Sequence, residues 1–433
     1  MTRANSSEST TSPLARRAIL RGGLLAGAAA LVGPATLLRP AAAQSAGATW
    51  VGSWGASPIR PLPRNNLPPR FTNQTIRQIT RISAGGDQVR VQFSNEFGTT
   101  PLTIGAAHVA LSASGPAIQS GSDKPLTFGG KTSITVPAGA PALSDPVDLR
   151  VTPLASLAIS LFLPNATDVT TAHPTGVQTA FVSPAGNHAA AAELPIESRF
   201  LNRFFLAGVM VRVPSRMPTV VTFGDSITDG TLSTPDSNNR WPDHLARRLL
   251  AEANAPAAVF NAGIGGNRLL TDGAGQSALA RFDRDVLAIP GVSHVTVMVG
   301  INDIGWPGTA LAPESERVSV DDMIAGYRQL AERAHARGIK IIGCTLTPFE
   351  GTALQNVGDY YTPEKETRRA AVNEWIRTAG AFDAVIDFDA VIRDPANPRK
   401  MQAAFNGGDW LHPGDAGYRA MGESIDLALF RRT

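Results

Sequence analysis

Residues 219–230, TVVTFGDSITDG, join an apolar run of strand length directly to a turn of small and polar residues. Such a run, rich in β-branched residues and closed by glycine, predicts a buried strand followed by a turn. Further runs of this kind are predicted to form strands at 258–261, 294–299, 340–345 and 384–388. Stretches with helical spacing lie between them, at 241–253, 276–287, 320–337 and 363–378. The alternation predicts an α/β architecture with a parallel sheet covered by helices on both faces.

Before residue 214 the apolar residues recur with a period of two, as in half-buried strands. Val89, Val91 and Phe93 alternate with polar residues, and a Gly-Gly-Asp turn at 85–87 predicts a hairpin between this run and residues 75–82. Short runs at 102–111, 134–136 and 157–163 complete the pattern of a β-sandwich without helices.

The first 43 residues differ from both halves. The pair Arg16-Arg17 precedes an apolar stretch at 22–38, and three alanines follow at 41–43. This order is typical of an export signal of the twin-arginine kind, cleaved near Ala43. The apolar stretch is short and contains a proline, so a stable membrane anchor is not expected. We therefore divide the chain into a leader (1–43), a β-rich accessory domain (44–213) and a catalytic domain (214–433), and expect a periplasmic or extracellular protein.

The charge balance argues against a nucleic-acid partner. The leader contains five Arg and one Glu, so the rest of the chain has 34 basic and 35 acidic residues, without a basic tract. The chain has a single cysteine, Cys344, so an intramolecular disulfide is excluded. Because Cys344 lies in an apolar run, its thiol is predicted to be inert.

Four short motifs occur at positions where function collects in a parallel sheet, beyond the carboxyl ends of strands. They are GDSITDG at 224–230, NAGIGGN at 261–267, GIND at 300–303 and DWLHP at 409–413. The first three each follow a predicted strand, and the fourth precedes the last predicted helix.

The motifs contain the groups that acyl transfer requires. A serine hydroxyl needs a base to remove its proton, and the resulting oxyanion needs fixed donors. Ser226 is the predicted nucleophile, His412 the base, and Asp409 the residue that orients the imidazole. The backbone amides of Ser226 and Gly266 and the side-chain amide of Asn302 are the predicted oxyanion donors.

In this order the four motifs resemble the blocks that define the SGNH hydrolases, also called GDSL esterases and lipases. The resemblance covers roughly residues 217–430 and implies a flavodoxin-like three-layer α/β/α domain. It places the family's nucleophile on Ser226, its oxyanion residues on Gly266 and Asn302, and its Asp-x-x-His pair on Asp409 and His412. Isoleucine stands where the family name has leucine, and GIND stands where many members have GGND, but neither change removes a reacting atom. The motifs WGAS (54–57) and NEFG (95–98) resemble those of exported bacterial members described as arylesterases, lipases or carbohydrate esterases.

Other polar residues are given structural interpretations. Asp225, Asp229 and Asp303 are expected to form loop hydrogen bonds, and Trp241 and Trp306 are candidates for lining a substrate pocket. Neither the Gly-x-Ser-x-Gly of α/β-hydrolases nor a Gly-x-Gly-x-x-Gly dinucleotide loop is found at these motifs. The remaining histidines lack metal-ligand spacing, so no metal and no cofactor are predicted: His108, His173, His188, His244, His294 and His335.

The sequence therefore predicts an exported serine esterase that acts on a small-molecule or polysaccharide ester, with short-chain or carbohydrate O-acyl esters favoured. Two alternatives stay open, a lipase or lysophospholipase for longer acyl chains and a glycan-binding protein with a vestigial hydrolase half. The oligomeric state, the acyl acceptor and the role of the β-rich half are not predicted.

Overall fold

A computed structural model describes residues 47–252 and 256–431. The predicted leader lies outside these residues. The first half contains the strands β1 (Thr49–Gly55), β2 (Arg70–Phe71), β3 (Gln74–Arg81), β4 (Gly86–Ser94), β5 (Leu102–Ile104), β6 (Ala106–Leu111), β7 (Lys124–Pro125), β8 (Ile134–Val136), β9 (Pro141–Leu143), β10 (Val147–Val151), β11 (Ser156–Leu163), β12 (Thr167–Asp168), β13 (Ala172–His173), β14 (Ala180–Ala185), β15 (Ser198–Phe200), β16 (Arg203–Phe204) and β17 (Leu206–Val213). The second half contains the strands β18 (Thr219–Gly224), β19 (Ala258–Gly263), β20 (Val292–Met298), β21 (Lys340–Cys344) and β22 (Ala384–Ile386). Its helices are α1 (Ser226–Asp229), α2 (Trp241–Ala251), α3 (Ala278–Phe282), α4 (Ile301–Gly305), α5 (Val320–His335), α6 (Pro363–Thr378), α7 (Phe388–Ile392) and α8 (Asp415–Ser424).

The first half is built from antiparallel sheets, as its period of two predicts. One sheet has the order β1-β17-β4-β10, with β9 also pairing to β4, and the other has the order β15-β14-β3-β11-β6-β7. Inward-facing apolar side chains of both sheets, such as Ile76, Val91 and Ile159, belong to one buried cluster.

The hairpin predicted from residues 75–94 is wrong. Strand β3 pairs with β11 and β14, whereas β4 pairs with β10, β17 and β9, so the turn at 85–87 connects two different sheets. Ile76 of β3 and the alternate residues Val89, Val91 and Phe93 of β4 reach the same core, and this burial is the same whether the two strands pair or face each other. Ser83, in the connection, bonds through its amide to the carbonyl of Ser53 rather than to β4.

The second half confirms the predicted parallel α/β fold. Its five strands are all parallel and have the order β19-β18-β20-β21-β22, the doubly wound order 2-1-3-4-5 of flavodoxin-like folds. Helices α3, α5 and α6 contribute to a buried cluster on one face, and α2, α7 and α8 to a second cluster on the other. The order of strands reverses beside β18, and a crevice therefore opens beyond the ends of β18 and β20.

Several element boundaries differ from the predictions by one or more residues, and in two cases the type of structure also changes. The strand predicted at 384–388 ends at Ile386, because the Asp387 side chain accepts the amide of Ala390 and begins a helix at Phe388. The helix predicted at 276–287 is α-helical only over Ala278–Phe282 and continues as a π-helix over Asp283–Leu287. Helix α5 begins after Ser319, whose side chain accepts the amide of Asp322.

The two halves share buried contacts. The Phe260 ring of β19 packs against β1 at Gly52 and Gly55, where an added Cβ atom would overlap the ring. The Ser83 hydroxyl accepts the amide of Val259 at 2.9 Å. The division into separate domains at residues 213 and 214 stays a prediction. Among residues 47–252 and 256–431, no helix is long and apolar enough to cross a membrane.

Candidate active site

Ser226 begins α1, immediately after the interior strand β18. The Asp225 side chain caps this short helix by accepting the amide of Ile227 at 3.0 Å, and Gly230 ends it with a φ of 94°. Gly224 packs so closely that an added Cβ would lie 2.5 Å from the carbonyl oxygen of Met298. The predicted strand-to-helix turn therefore places the serine at the carboxyl edge of the sheet.

The structure brings His412 and Asp409 to this serine. His412 Nε2 lies 2.7 Å from Ser226 Oγ, and His412 Nδ1 lies 2.7 Å from Asp409 Oδ2. Because a carboxylate only accepts, Nδ1 carries the proton and leaves Nε2 free to accept from the hydroxyl. This is the tautomer that a general base requires.

The loop that carries His412 is held by its own side chains. Asp409 Oδ1 accepts the amides of Leu411 and His412 at 2.9 and 2.8 Å. Trp410, which directly follows Asp409, has a φ of 61°. Burial by itself favours the neutral acid, but the hydrogen bonds from His412 outweigh it and lower the pKa of Asp409 below its usual value. Asp409 is therefore an anion when it faces the imidazole.

Gly266 follows β19 with a φ of 77°, a conformation that glycine adopts without strain. An added Cβ would lie 2.9 Å from Trp306 Cζ2 and 3.0 Å from Ala274 Cβ. The backbone amides of Gly266 and Ser226 have no acceptor among the described residues. Both amides are thus available as donors to a bound group.

Asn302 lies in α4 and is 2% exposed. Its Nδ2 donates one hydrogen to the Asn267 carbonyl at 2.9 Å, which leaves the second hydrogen available. The Tyr360 hydroxyl donates to Asn302 Oδ1 at 2.8 Å and so fixes which end of the amide faces the site. Tyr360 lies outside the four motifs, and sequence reasoning did not predict its contact with Asn302.

Arg281 of α3, also missed, ties the motif loops together from below. Its buried guanidinium donates to the carbonyls of Gly224 and Ala262 and to Asn267 Oδ1, at 2.7 to 2.9 Å. Asp285 neutralises it at 3.0 Å. The loops after β18 and β19 therefore share one charged anchor.

The three acidic residues interpreted as loop residues do form loop hydrogen bonds. Asp303 accepts the amides of Leu269 and Leu270 at 2.6 and 3.0 Å, and Asp229 accepts the amide of Gly265 at 2.9 Å. Burial raises the pKa of Asp225 to about 7 and that of Asp303 to about 6. The proximity of the carboxylates adds to the shift of Asp225.

Ser226, Gly266, Asn302 and His412 line one cleft of about 380 Å³. Trp306 lines it as well, as the sequence suggests, whereas Trp241 is fully buried against Phe388 and lines no part of it. The other lining residues come from both halves of the chain: Arg64, Asn65, Pro174, Thr175, Thr231, Gly265, Leu311, Leu354, Gln355, Val357 and Leu411.

Within the described parts of the chain, no group of three or more His, Cys, Asp or Glu residues is arranged to hold a metal ion. Cys344 is buried in β21, and burial raises the pKa of its thiol.

The comparisons with known proteins concern the second half. Residues 220–425 match the family described as GDSL-like Lipase/Acylhydrolase. No curated protein sequence matches the chain. Similar solved structures include an aryl esterase from M. smegmatis, 18% identical, covering 48% of this chain and 95% of its own with a TM-score of 0.37. An acetylxylan esterase from Geobacillus stearothermophilus is 21% identical, and the match covers 48% of this chain and 91% of the esterase with a TM-score of 0.36. A lipase/acylhydrolase from Enterococcus faecalis is 24% identical, and the match covers 48% of this chain and 93% of that protein with a TM-score of 0.35.

The family match spans the strands, helices and loops that carry all four motifs. Residues 220–425 are therefore a GDSL-like lipase/acylhydrolase domain, and the enzyme activity that this domain supports is that of a carboxylic ester hydrolase.

Proposed function

We propose that the protein hydrolyses carboxylic esters through an acyl intermediate on Ser226. The observation that carries the proposal is the unbroken chain from Ser226 Oγ through the His412 ring to Asp409, with both links at 2.7 Å. The nucleophile, the base and the orienting carboxylate are hydrogen-bonded in the spatial order that acyl transfer requires.

In the first half-reaction Ser226 Oγ forms a bond to the acyl carbon while its proton moves to His412 Nε2. The carbonyl oxygen becomes an anion that accepts hydrogen bonds from the amides of Ser226 and Gly266 and from Asn302 Nδ2. The imidazolium returns its proton to the departing alcohol as the carbon–oxygen bond breaks. Water then repeats both steps, releases the acid and restores the hydroxyl of Ser226.

Ser226→Ala tests the nucleophile. It removes the attacking oxygen, and we expect hydrolysis of p-nitrophenyl acetate to fall by about three orders of magnitude or more. Ser424→Ala, at the exposed end of α8, is the matched control and is expected to keep the parent rate. Unchanged thermal unfolding shows that both variants fold, and parent-like turnover by a folded Ser226→Ala protein would refute the proposal.

We further propose that the substrates are short-chain or carbohydrate O-acyl esters. Support comes from the cleft, whose lining combines apolar Leu354, Val357 and Leu411 with polar Arg64 and Thr175. Such a lining suits a small acyl group joined to a polar alcohol. The apolar lining residues also suit a second candidate function, that of a lipase acting on longer acyl chains.

The two candidates differ in their dependence on acyl length. For the proposed substrates, kcat/KM is expected to fall by about tenfold or more from p-nitrophenyl acetate to the octanoate, because each misfitting methylene group weakens transition-state binding. Acetate release from an acetylated oligosaccharide gives the second measurement. A rise in kcat/KM with chain length, without acetate release from the sugar, would favour the lipase.

The composition of residues 1–43 supports the further proposal that the protein is exported and cleaved near Ala43.

A further inference from the structure

His173, on strand β13 of the first half, is buried beside the candidate active site. Its Nε2 lies 2.9 Å from Asp229 Oδ1, and its Nδ1 lies 2.9 Å from the carbonyl oxygen of Ser57. Both side chains of the His173–Asp229 pair are 5% exposed. No step of ester hydrolysis proposed above uses either residue.

The two neighbours of the imidazole determine how it is oriented. The carbonyl of Ser57 only accepts, so His173 Nδ1 carries a hydrogen. The second ring nitrogen, Nε2, shares a hydrogen bond with Asp229 Oδ1. The imidazole is therefore held by two buried hydrogen bonds, one at each ring nitrogen, and these fix its orientation.

Asp229 connects His173 to the loop that carries Gly266. Its second oxygen, Oδ2, accepts the amide of Gly265 at 2.9 Å. An added Cβ at Gly263 would lie 2.7 Å from the Cα of Asp229, so the loop and α1 are in close contact here. Anchoring Gly265 at its amide limits rotation of the next peptide unit, and the N–H of that unit is the amide of Gly266.

We propose that His173 is a positioning residue, through which the β-rich half holds the oxyanion loop in its working conformation. The inference rests on the proposed function, in which the amide of Gly266 stabilises the oxyanion. It gives the first half a part in catalysis by way of Asp229, without contact between His173 and the substrate.

The test is His173→Gln in the full-length protein, with His108→Gln as its control. His108 lies in the same half and makes a similar contact to Asp123, at 2.9 Å, outside the cleft lining. For His173→Gln we expect kcat on p-nitrophenyl acetate to fall by about tenfold or more with KM changed less than about twofold, because only transition-state stabilisation is weakened. His108→Gln is expected to keep the parent kcat.

Titration with a fluorophosphonate that labels Ser226 counts the active molecules, so that loss of folded protein is not taken for loss of kcat. It also separates the two proposals: if the parent is not labelled at Ser226, the serine mechanism fails, whereas labelling with an unchanged kcat in His173→Gln overturns only the role of His173. An equal loss of kcat in His108→Gln would overturn it as well.

A second pair of variants covers the case in which His173→Gln does not fold. Asp229→Ala removes both contacts and is expected to lower kcat by a similar factor. Asp229→Asn keeps an acceptor for the Gly265 amide and a polar contact to His173, and it is expected to restore part of that loss. Equal kcat values for the two variants would overturn the proposal.

Discussion

At the scale of single residues, Asp225 combines two demands. It is fully buried, and its Oδ1 accepts the amide of Ile227 at the start of the helix that carries Ser226. Its Oδ2 has no hydrogen-bond partner among the described residues. Burial therefore favours the protonated acid, and the pKa rises to about 7.

This shift predicts a pH-dependent stability. An acid whose pKa is higher in the folded protein than in the unfolded chain binds more protons when folded, so its ionisation lowers the free energy of unfolding as pH rises from about 4 to about 7. Asp225→Asn copies the protonated form. We expect this variant to gain stability relative to the parent across that interval, by roughly 1 to 3 kcal/mol at pH 7.5 compared with pH 4.

Urea unfolding of both proteins at several pH values between 4 and 7.5 measures the difference. A difference in the free energy of unfolding that is constant with pH would contradict the prediction.

At the scale of elements, three neighbouring strands end in loops that depend on glycine. The connections after these strands contain Gly230, which follows β18 and α1, Gly266, which follows β19, and Gly300, which follows β20, with φ values of 94°, 77° and 137°. Residues other than glycine rarely adopt these backbone angles. With glycine at these positions, the chain can turn sharply enough to bring the proposed donors and the nucleophile over the edge of the sheet. The motifs are therefore conformational signals as well as chemical ones.

Gly266→Ala separates these two roles when it is compared with Gly338→Ala. Gly338 follows α5 with a φ of 65° and has open space where a Cβ would be, so both substitutions introduce similar backbone strain, about 1 to 2 kcal/mol. Only Gly266→Ala also displaces a proposed oxyanion donor, because its Cβ meets Trp306. We expect kcat to fall by about a hundredfold for Gly266→Ala and to stay unchanged for Gly338→Ala.

Steady-state kinetics and thermal unfolding of both variants make the comparison. Equal losses of kcat would show that strain alone, and not the position of the donor, accounts for the effect.

At the scale of the whole molecule, local patterns predicted the sheet of the second half because its buried strands are continuous apolar runs. They predicted the gathering of Ser226, Asp409 and His412 only through the rule that the carboxyl ends of parallel strands meet at one edge. Pairing in the first half was harder to predict, since the burial of apolar residues in β3 and β4 does not reveal which sheet each strand joins. His173 and Tyr360 were missed because their partners are 56 and 58 residues away in the chain and no spacing marks them.

The contact of Phe260 with β1 has a consequence for solubility. Strand β19 is the outer strand of the parallel sheet, and an uncovered outer strand recruits other chains by hydrogen bonding. Here β1 packs against the Phe260 ring, and the Ser83 hydroxyl bonds both the carbonyl and the amide of Val259. A chain without the first half would expose this outer strand and the Phe260 ring, and it would need a charged residue such as lysine or glutamate in place of Phe260 to stay dispersed in water.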